Sequence, residues 1–172
     1  EALFSRLQME FPQSVYPGRA LYFRGESQYH QNQLEDAAAS YAALINTLPD
    51  DELVPDATYA LGICYETLKK SDEALQTFAA FELRFLQHAL LTEVKMRQAE
   101  LFGQVSTVKD FPLADTAMLR QARCLYELKK YKEAGNLYWD IPRQFAKSKY
   151  YDTAVLAGAK CFYLAGEYAT AR

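Results

Sequence analysis

Three cysteines, two histidines and one acidic run are the residues of this chain with the chemistry to react, ligate or catalyse. Cys64, Cys124 and Cys161 are an odd number without a Cys-x-x-Cys pair, which argues against a disulfide framework and against a zinc site. His30 and His88 stand alone, outside any His-Glu-x-x-His spacing, and no glycine-rich phosphate loop or Gly-x-Ser-x-Gly elbow occurs. Asp50, Asp51 and Glu52 lack the alternating oxygen ligands and central glycine of a calcium loop. At a helix N-terminus such acids are already explained by the helix dipole. Catalysis needs a nucleophile beside a base, a metal set, or paired carboxylates in a cleft. The residue types are present here but the spacings are not. The chain reads as non-enzymatic, with no cofactor and no metal.

What positions the cysteines is a repeat. The phrase CYETLKKSDEA, Cys64 to Ala74, returns as CLYELKKYKEA, Cys124 to Ala134. Aligned on the closing alanine, the series is Ala2, Ala37, Ala74, Ala134 and Ala171, at intervals of 35, 37, 60 and 37. Ten residues before four of these lie Ser27, Cys64, Cys124 and Cys161. All three thiols therefore share one position of a repeating unit, where a small, weakly polar side chain is wanted between packed helices.

Each unit reads as two helices. ALYFRGESQYHQ carries Leu21, Tyr22, Gly25 and Tyr29 near the spacing of one helical face, and LEDAAASYAALINTLP carries Leu34, Ala37, Ala38, Tyr41, Leu44, Ile45 and Leu48 likewise. The pattern returns in ATYALGICYETL with DEALQTFAAFELRF, in AMLRQARCLYEL with YKEAGNLYWDIPRQF, and in VLAGAKCFYLA with YATAR. Gly25 or Gly62 at one crossing and Ala37, Ala74, Ala134 or Ala171 at the other let two helices approach closely, while aromatics fill the remaining space.

At these positions the chain resembles the tetratricopeptide repeat family. Leu61, Gly62, Tyr65, Ala74 and Phe78 match its pattern in the second unit, and Gly25, Ala37, Tyr41 and Pro49 in the first. Tyr131, Ala134 and Tyr138 match in the third; Gly166, Tyr168 and Ala171 match in the fourth. The resemblance implies an all-α fold, a right-handed solenoid of antiparallel helix pairs spanning residues 1–172 in four to five units. It also implies a concave groove lined by the first helix of each pair. Carried over from the family pattern, the groove positions are Tyr22, Glu26 and Tyr29; Tyr59, Ile63 and Glu66; Leu119, Arg123 and Tyr126; and Leu156, Lys160 and Tyr163. Of these, Tyr22, Glu26, Tyr29, Tyr59, Arg123, Tyr126, Lys160 and Tyr163 are the candidate partner-binding residues, since Tyr and Arg are the types that anchor interfaces. The Lys-then-Asn pair that grips acidic chaperone tails is missing from every unit, so the resemblance does not extend to that subtype.

The 60-residue interval between Ala74 and Ala134 breaks the period. LLTEVKMRQAELFGQ fits a first helix, and either the second helix is truncated or a stretch of it near 103–105 is absent; the in-phase flanks favour the second. Residues 103–110 are the expected irregular point. Neither end carries a recognisable cap, which reads as a piece of a longer array. The linkers EFPQSVYPGRAL, DFPLADTAML and RQFAKSKYYDTAVL each place an acidic or polar residue at the opening of the next helix, to accept from free backbone N–H groups. Their style resembles repeats of bacterial cell-envelope proteins, both outer-membrane assembly lipoproteins and periplasmic coordinators of envelope constriction. That implies a periplasmic or envelope scaffold.

Charge narrows the partners. The net charge of −3 argues against nucleic acid, which needs a basic surface. It is unevenly held: residues 1–114 have 9 Lys and Arg against 16 Asp and Glu, and residues 115–172 have 10 against 6. The contrast reads either as two differently solvated surfaces or as a polar end that docks an acidic partner. No apolar run approaches the roughly 20 residues of a membrane span. The sequence thus points to a protein-binding scaffold. A docking part of a larger enzyme and a self-associating module are the alternatives.

Overall fold

A computed structural model of the chain describes residues 17–107 and 113–171. Those residues form eight α-helices and no strand. In chain order they are α1 (Pro17–His30), α2 (Leu34–Thr47), α3 (Val54–Thr67), α4 (Ser71–Arg84), α5 (Leu91–Ser106), α6 (Ala114–Glu127), α7 (Tyr131–Gln144) and α8 (Tyr151–Leu164). All but α5 are 14 residues long. The chain divides into two compact units, the boundary falling between Leu91 and Thr92.

The turn inside each hairpin is set by one residue. Asn32, Lys69 and Lys129 adopt φ of 59°, 61° and 61°, and Gly166, at the matching place after α8, adopts 79°. In α3 the left-handed residue lets Lys69 N–H bond back to Glu66 O and Lys70 N–H to Tyr65 O, at 3.0 and 2.9 Å. Lys129 and Lys130 repeat this on Tyr126 and Leu125. The last carbonyls of the helix are thereby satisfied and the chain reverses within three residues. The helix starts differ from expectation. The N-cap residues Leu53, Leu113 and Tyr150 are not polar and make no side-chain cap bond. Instead Asp51 Oδ1 accepts from Leu53 N–H (2.9 Å) and Ser148 Oγ from Tyr150 N–H (3.1 Å), so the polar residue acts from two positions upstream.

The first unit is two stacked hairpins, α1–α2 and α3–α4. Its core joins Leu21, Ala37, Ala38, Tyr41, Leu44, Val54, Ala57, Leu61 and Cys64. A Cβ on Gly25 would lie 2.6 Å from the Tyr41 ring, and one on Gly62 would collide with the Phe78 ring, so the close approach of first to second helix requires glycine. Ala37, Ala74 and Ala134 are wholly buried at the other crossing.

The second unit takes α5, the hairpin α6–α7, and α8. Its core joins Ala99, Met118, Ala122, Leu125, Ala134, Tyr138, Ile141, Ala154 and Cys161. Three expectations change here. Residues 103–106 are regular helix rather than irregular: α5 runs to Ser106, and Gly103 is a contact residue, since a Cβ there would lie 2.6 Å from Gln121 Nε2. Residues 108–110, the rest of the expected irregular stretch, lie outside the described residues. Next, Cys124 is only half-buried, as is Ser27, while Cys64 and Cys161 are fully buried. Cys64 and Cys161 pack among side chains of the hairpin before their own helix. Within the second unit α6 follows a single helix, α5. Finally, Ala171 is half-buried and outside any helix. Its N–H bonds to Glu167 O at 3.1 Å, one closed turn, and a single turn is too little to propagate.

Candidate interaction surface

The helix boundaries of the two units correspond at a constant separation of 97 residues: α1, α2 and α3 begin at 17, 34 and 54, and α6, α7 and α8 at 114, 131 and 151. The candidate residues can therefore be compared position by position. Glu26 matches Arg123, Tyr29 matches Tyr126, Tyr59 matches Leu156, Ile63 matches Lys160, Glu66 matches Tyr163, and Tyr22 matches Leu119.

In the first unit these side chains are drawn into the packing. Tyr22 is half-buried, 5.8 Å from the Tyr41 ring and 5.5 Å from Phe23. Burial first, then the charges of Glu26 and Asp56, push its hydroxyl up to about 12. Tyr41 Oη donates to Glu26 Oε1 at 2.5 Å. Burial and this bond, which favours the protonated phenol, hold Tyr41 far above its ordinary range. Burial and the same carboxylate push the Cys64 thiol up to about 12. Glu26 is thus committed to the interior. Tyr59 is half-buried with its ring 6.2 Å from Phe78, and Tyr29 packs edge-on to His30 at 6.1 Å.

In the second unit Arg123, Leu156, Lys160 and Tyr163 face outward, while Leu119 and Tyr126 pack partly buried against the core. Arg123 has a side chain 69% exposed and donates from Nε to Glu127 Oε1 at 3.2 Å. Lys95 Nζ holds the other oxygen of Glu127 at 2.8 Å. Burial would raise the Glu127 carboxyl, but Lys95 and Arg123 outweigh it, and the group sits below the ordinary carboxylate range. One turn along α6, Tyr126 is half-buried against the core and lies 5.5 Å from Tyr131. Lys160 of α8 places Nζ 5.2 Å from the centre of the Tyr126 ring. The closeness of Tyr126 holds the ammonium above its usual range. Flanking Lys160 on α8, Leu156 is 73% and Tyr163 64% exposed. Tyr163 stacks edge-on with Tyr168, itself 62% exposed, at 5.5 Å.

The structure therefore brings Arg123, Tyr126, Lys160 and Tyr163 onto one face of α6 and α8. Tyr22, Glu26, Tyr29 and Tyr59 are shared out among packing contacts. Sequence reasoning missed Tyr168, Tyr131 and the Lys95–Glu127 pair as members of this surface. Tyr168 was visible as the opening of a second helix, and only its ring contact with Tyr163 places it on the surface. Among the described residues no group of three His, Cys, Asp or Glu side chains is arranged to hold a metal ion. No described helix is long and apolar enough to cross a membrane.

Paired 14-residue helices that recur in phase, with small residues at the crossings, define an all-α helical-repeat protein. Sequence profiles described as tetratricopeptide repeat match residues 13–52, 56–85 and 116–148, more than half of the chain. The chain belongs to the tetratricopeptide repeat family, whose repeats generally mediate protein–protein interaction. No curated protein sequence matches it. Among solved structures it is similar to a tetratricopeptide repeat protein from Parabacteroides merdae ATCC 43184, at 15% identity and a TM-score of 0.45. That match covers 98% of this chain, and the chain spans 66% of the length of that protein. It is also similar to a structure described as MamA MSR-1 C2, at 13% identity and a TM-score of 0.42, with 91% of each chain covered.

Proposed function

We propose that this protein is a non-catalytic scaffold that holds a segment of a partner protein on the exposed face of its first helices. One observation carries the reading: Arg123, Lys160 and Tyr163 stand out from α6 and α8 around the half-buried Tyr126, whose ring carries the Lys160 ammonium. Aromatic and arginine side chains give large contact area and several hydrogen bonds for little lost conformational freedom, which suits them to anchor an interface. A bacterial envelope setting is part of the proposal and is supported by the style of the inter-unit linkers. Cell fractionation of the full-length protein tests that part.

The test of the scaffold is affinity capture with the intact protein from its own cells. Partners co-purifying with wild type should be lost or strongly depleted with Tyr126→Ala and Arg123→Glu. Retention of every partner at wild-type levels by both variants would refute the reading.

A further inference from the structure

The two units carry opposite charge. Residues 1–91 hold 6 Lys and Arg against 13 Asp and Glu, and residues 92–172 hold 13 against 9. The contrast reaches the candidate surface itself, where Glu26 and Ile63 of the first unit are replaced by Arg123 and Lys160 in the second. Resting on the proposed scaffold role, we infer that the face of α6 and α8 takes an acidic segment whose carboxylates alternate with apolar side chains.

Three observations lead there. The first is charge. Arg123 is mostly exposed, and of the two oxygens of its acidic neighbour Glu127 the other is held by Lys95. Two cations therefore share the one carboxylate of Glu127. Lys160 is exposed and lies against the ring of Tyr126, so its ammonium is presented from a fixed place. The second is apolar surface beside those cations: Leu156 and Tyr163 lie one turn either side of Lys160 on α8, and Tyr168 extends the patch. A segment with carboxylates alone would leave these side chains in water; apolar residues between the carboxylates would cover them. The third concerns the competing occupant, the acidic unit of a second copy. At the matching face of that unit Glu26 is half-buried and accepts from Tyr41, and Glu66 is half-buried. Glu52 is engaged by Arg19 at 2.9 Å. Glu26, the carboxylate at the position matching Arg123, is already engaged within its own unit.

The experiment is fluorescence anisotropy with the whole chain and three short labelled peptides. One alternates Asp or Glu with Phe or Leu, one has Asn and Gln in place of the acids, and one has Lys and Arg. The acidic peptide should bind about tenfold or more tighter than the neutral one, with the preference shrinking as salt shortens the screening length. Arg123→Glu/Lys160→Glu should abolish the preference, and Leu156→Ser/Tyr163→Ser should weaken both the acidic and neutral peptides. All four side chains are exposed, so urea midpoints of the variants should stay at wild type, and a fold lost in one pair leaves the other as the readout. Equal binding of the three peptides, or indifference to the charge reversal, overturns the acidic assignment. If affinity capture still depends on Tyr126, the scaffold reading survives that result; if capture also fails to depend on it, both readings fall. A mass that rises with concentration and returns to monomer in Arg123→Glu/Lys160→Glu overturns the inference in favour of a second copy.

Discussion

Ser148 Oγ donates a 2.6 Å hydrogen bond to Asp115 Oδ2, tying the loop between α7 and α8 to the first turn of α6. The matching positions in the first unit, 97 residues earlier, are Asp51 and Gly18. There the carboxylate sits on the loop, and the helix offers only backbone: a Cβ on Gly18 would collide with the Asp51 carboxylate. The carboxylate has changed sides across the same joint. In both units it ends up beside the N-terminus of the first helix, where free N–H groups favour negative charge.

That joint predicts a pH signature. The hydrogen bond from Ser148, against a smaller opposing effect of burial, holds the Asp115 carboxyl below its ordinary range. A folded value below the unfolded one means that the charged carboxylate stabilises the fold above about pH 3.9, and that this contribution is lost as the pH falls through the folded value. Asp115→Asn should lower the urea midpoint near neutral pH, by less than about 1 kcal/mol because the group is partly solvated. Its curve should converge on wild type in acid. A gap that stays constant into strong acid would show that the charge plays no part.

The Gly62–Phe78 contact predicts a compensating pair. Gly62→Ala puts a methyl into the Phe78 ring and should cost about 1–3 kcal/mol of unfolding free energy, since the two helices cannot part without opening the core. Adding Phe78→Leu to Gly62→Ala should recover part of that loss, although Phe78→Leu alone destabilises. Chemical denaturation of the four proteins completes the cycle, and strict additivity would mean that the two residues do not meet.

The thiols should separate by depth. Cys64 and Cys161 are fully buried, and burial raises both, Cys64 to about 12. The thiolate is the reactive form, so both should resist alkylation in the native state. Cys124 is half-buried and should be the first modified. Mass spectrometry of peptides after brief iodoacetamide treatment distinguishes the three, and native labelling of Cys64 ahead of Cys124 would contradict the packing.

The hairpin turns leave stability to be gained. Lys129 holds φ of 61°, a conformation costing a side-chain-bearing residue about 1–2 kcal/mol. Gly at this position avoids the cost, offset by about 0.4–1 kcal/mol for its greater freedom in the unfolded chain. Lys129→Gly should therefore be neutral to stabilising by up to about 1.6 kcal/mol, and Lys69→Gly likewise. Thermal unfolding reads both; a clear loss would indicate that the lysine side chains hold the turn.

Much of this fold was legible because the repeat imposes one spacing on several residue types at once. Small residues at Gly25, Gly62, Ala37, Ala74 and Ala134, each in phase with an aromatic, can be satisfied by crossing helices and by little else. Residues 103–106 read as irregular because the 60-residue interval breaks the period there, yet α5 continues through them. Cys124 was placed with Cys64 and Cys161 because a repeat position carries no record of what stands before it. The candidate surface was legible as a set of positions, and its division into packed and exposed members was not.

The sequence by itself determined the helical hairpin, its period and the place of its turns, because those follow from local periodicity, crossing size and one left-handed residue per hairpin. Only the tertiary structure decided that Tyr22, Glu26 and Tyr59 are drawn inward while Arg123, Lys160 and Tyr163 stay in water. Exposure depends on neighbours far along the chain: Tyr41 reaches Glu26 from the second helix, whereas at the matching place Arg123 turns to Glu127 on its own helix. Periodicity specifies which side of a helix a residue occupies, and the partner packed against that side specifies what the residue is free to do.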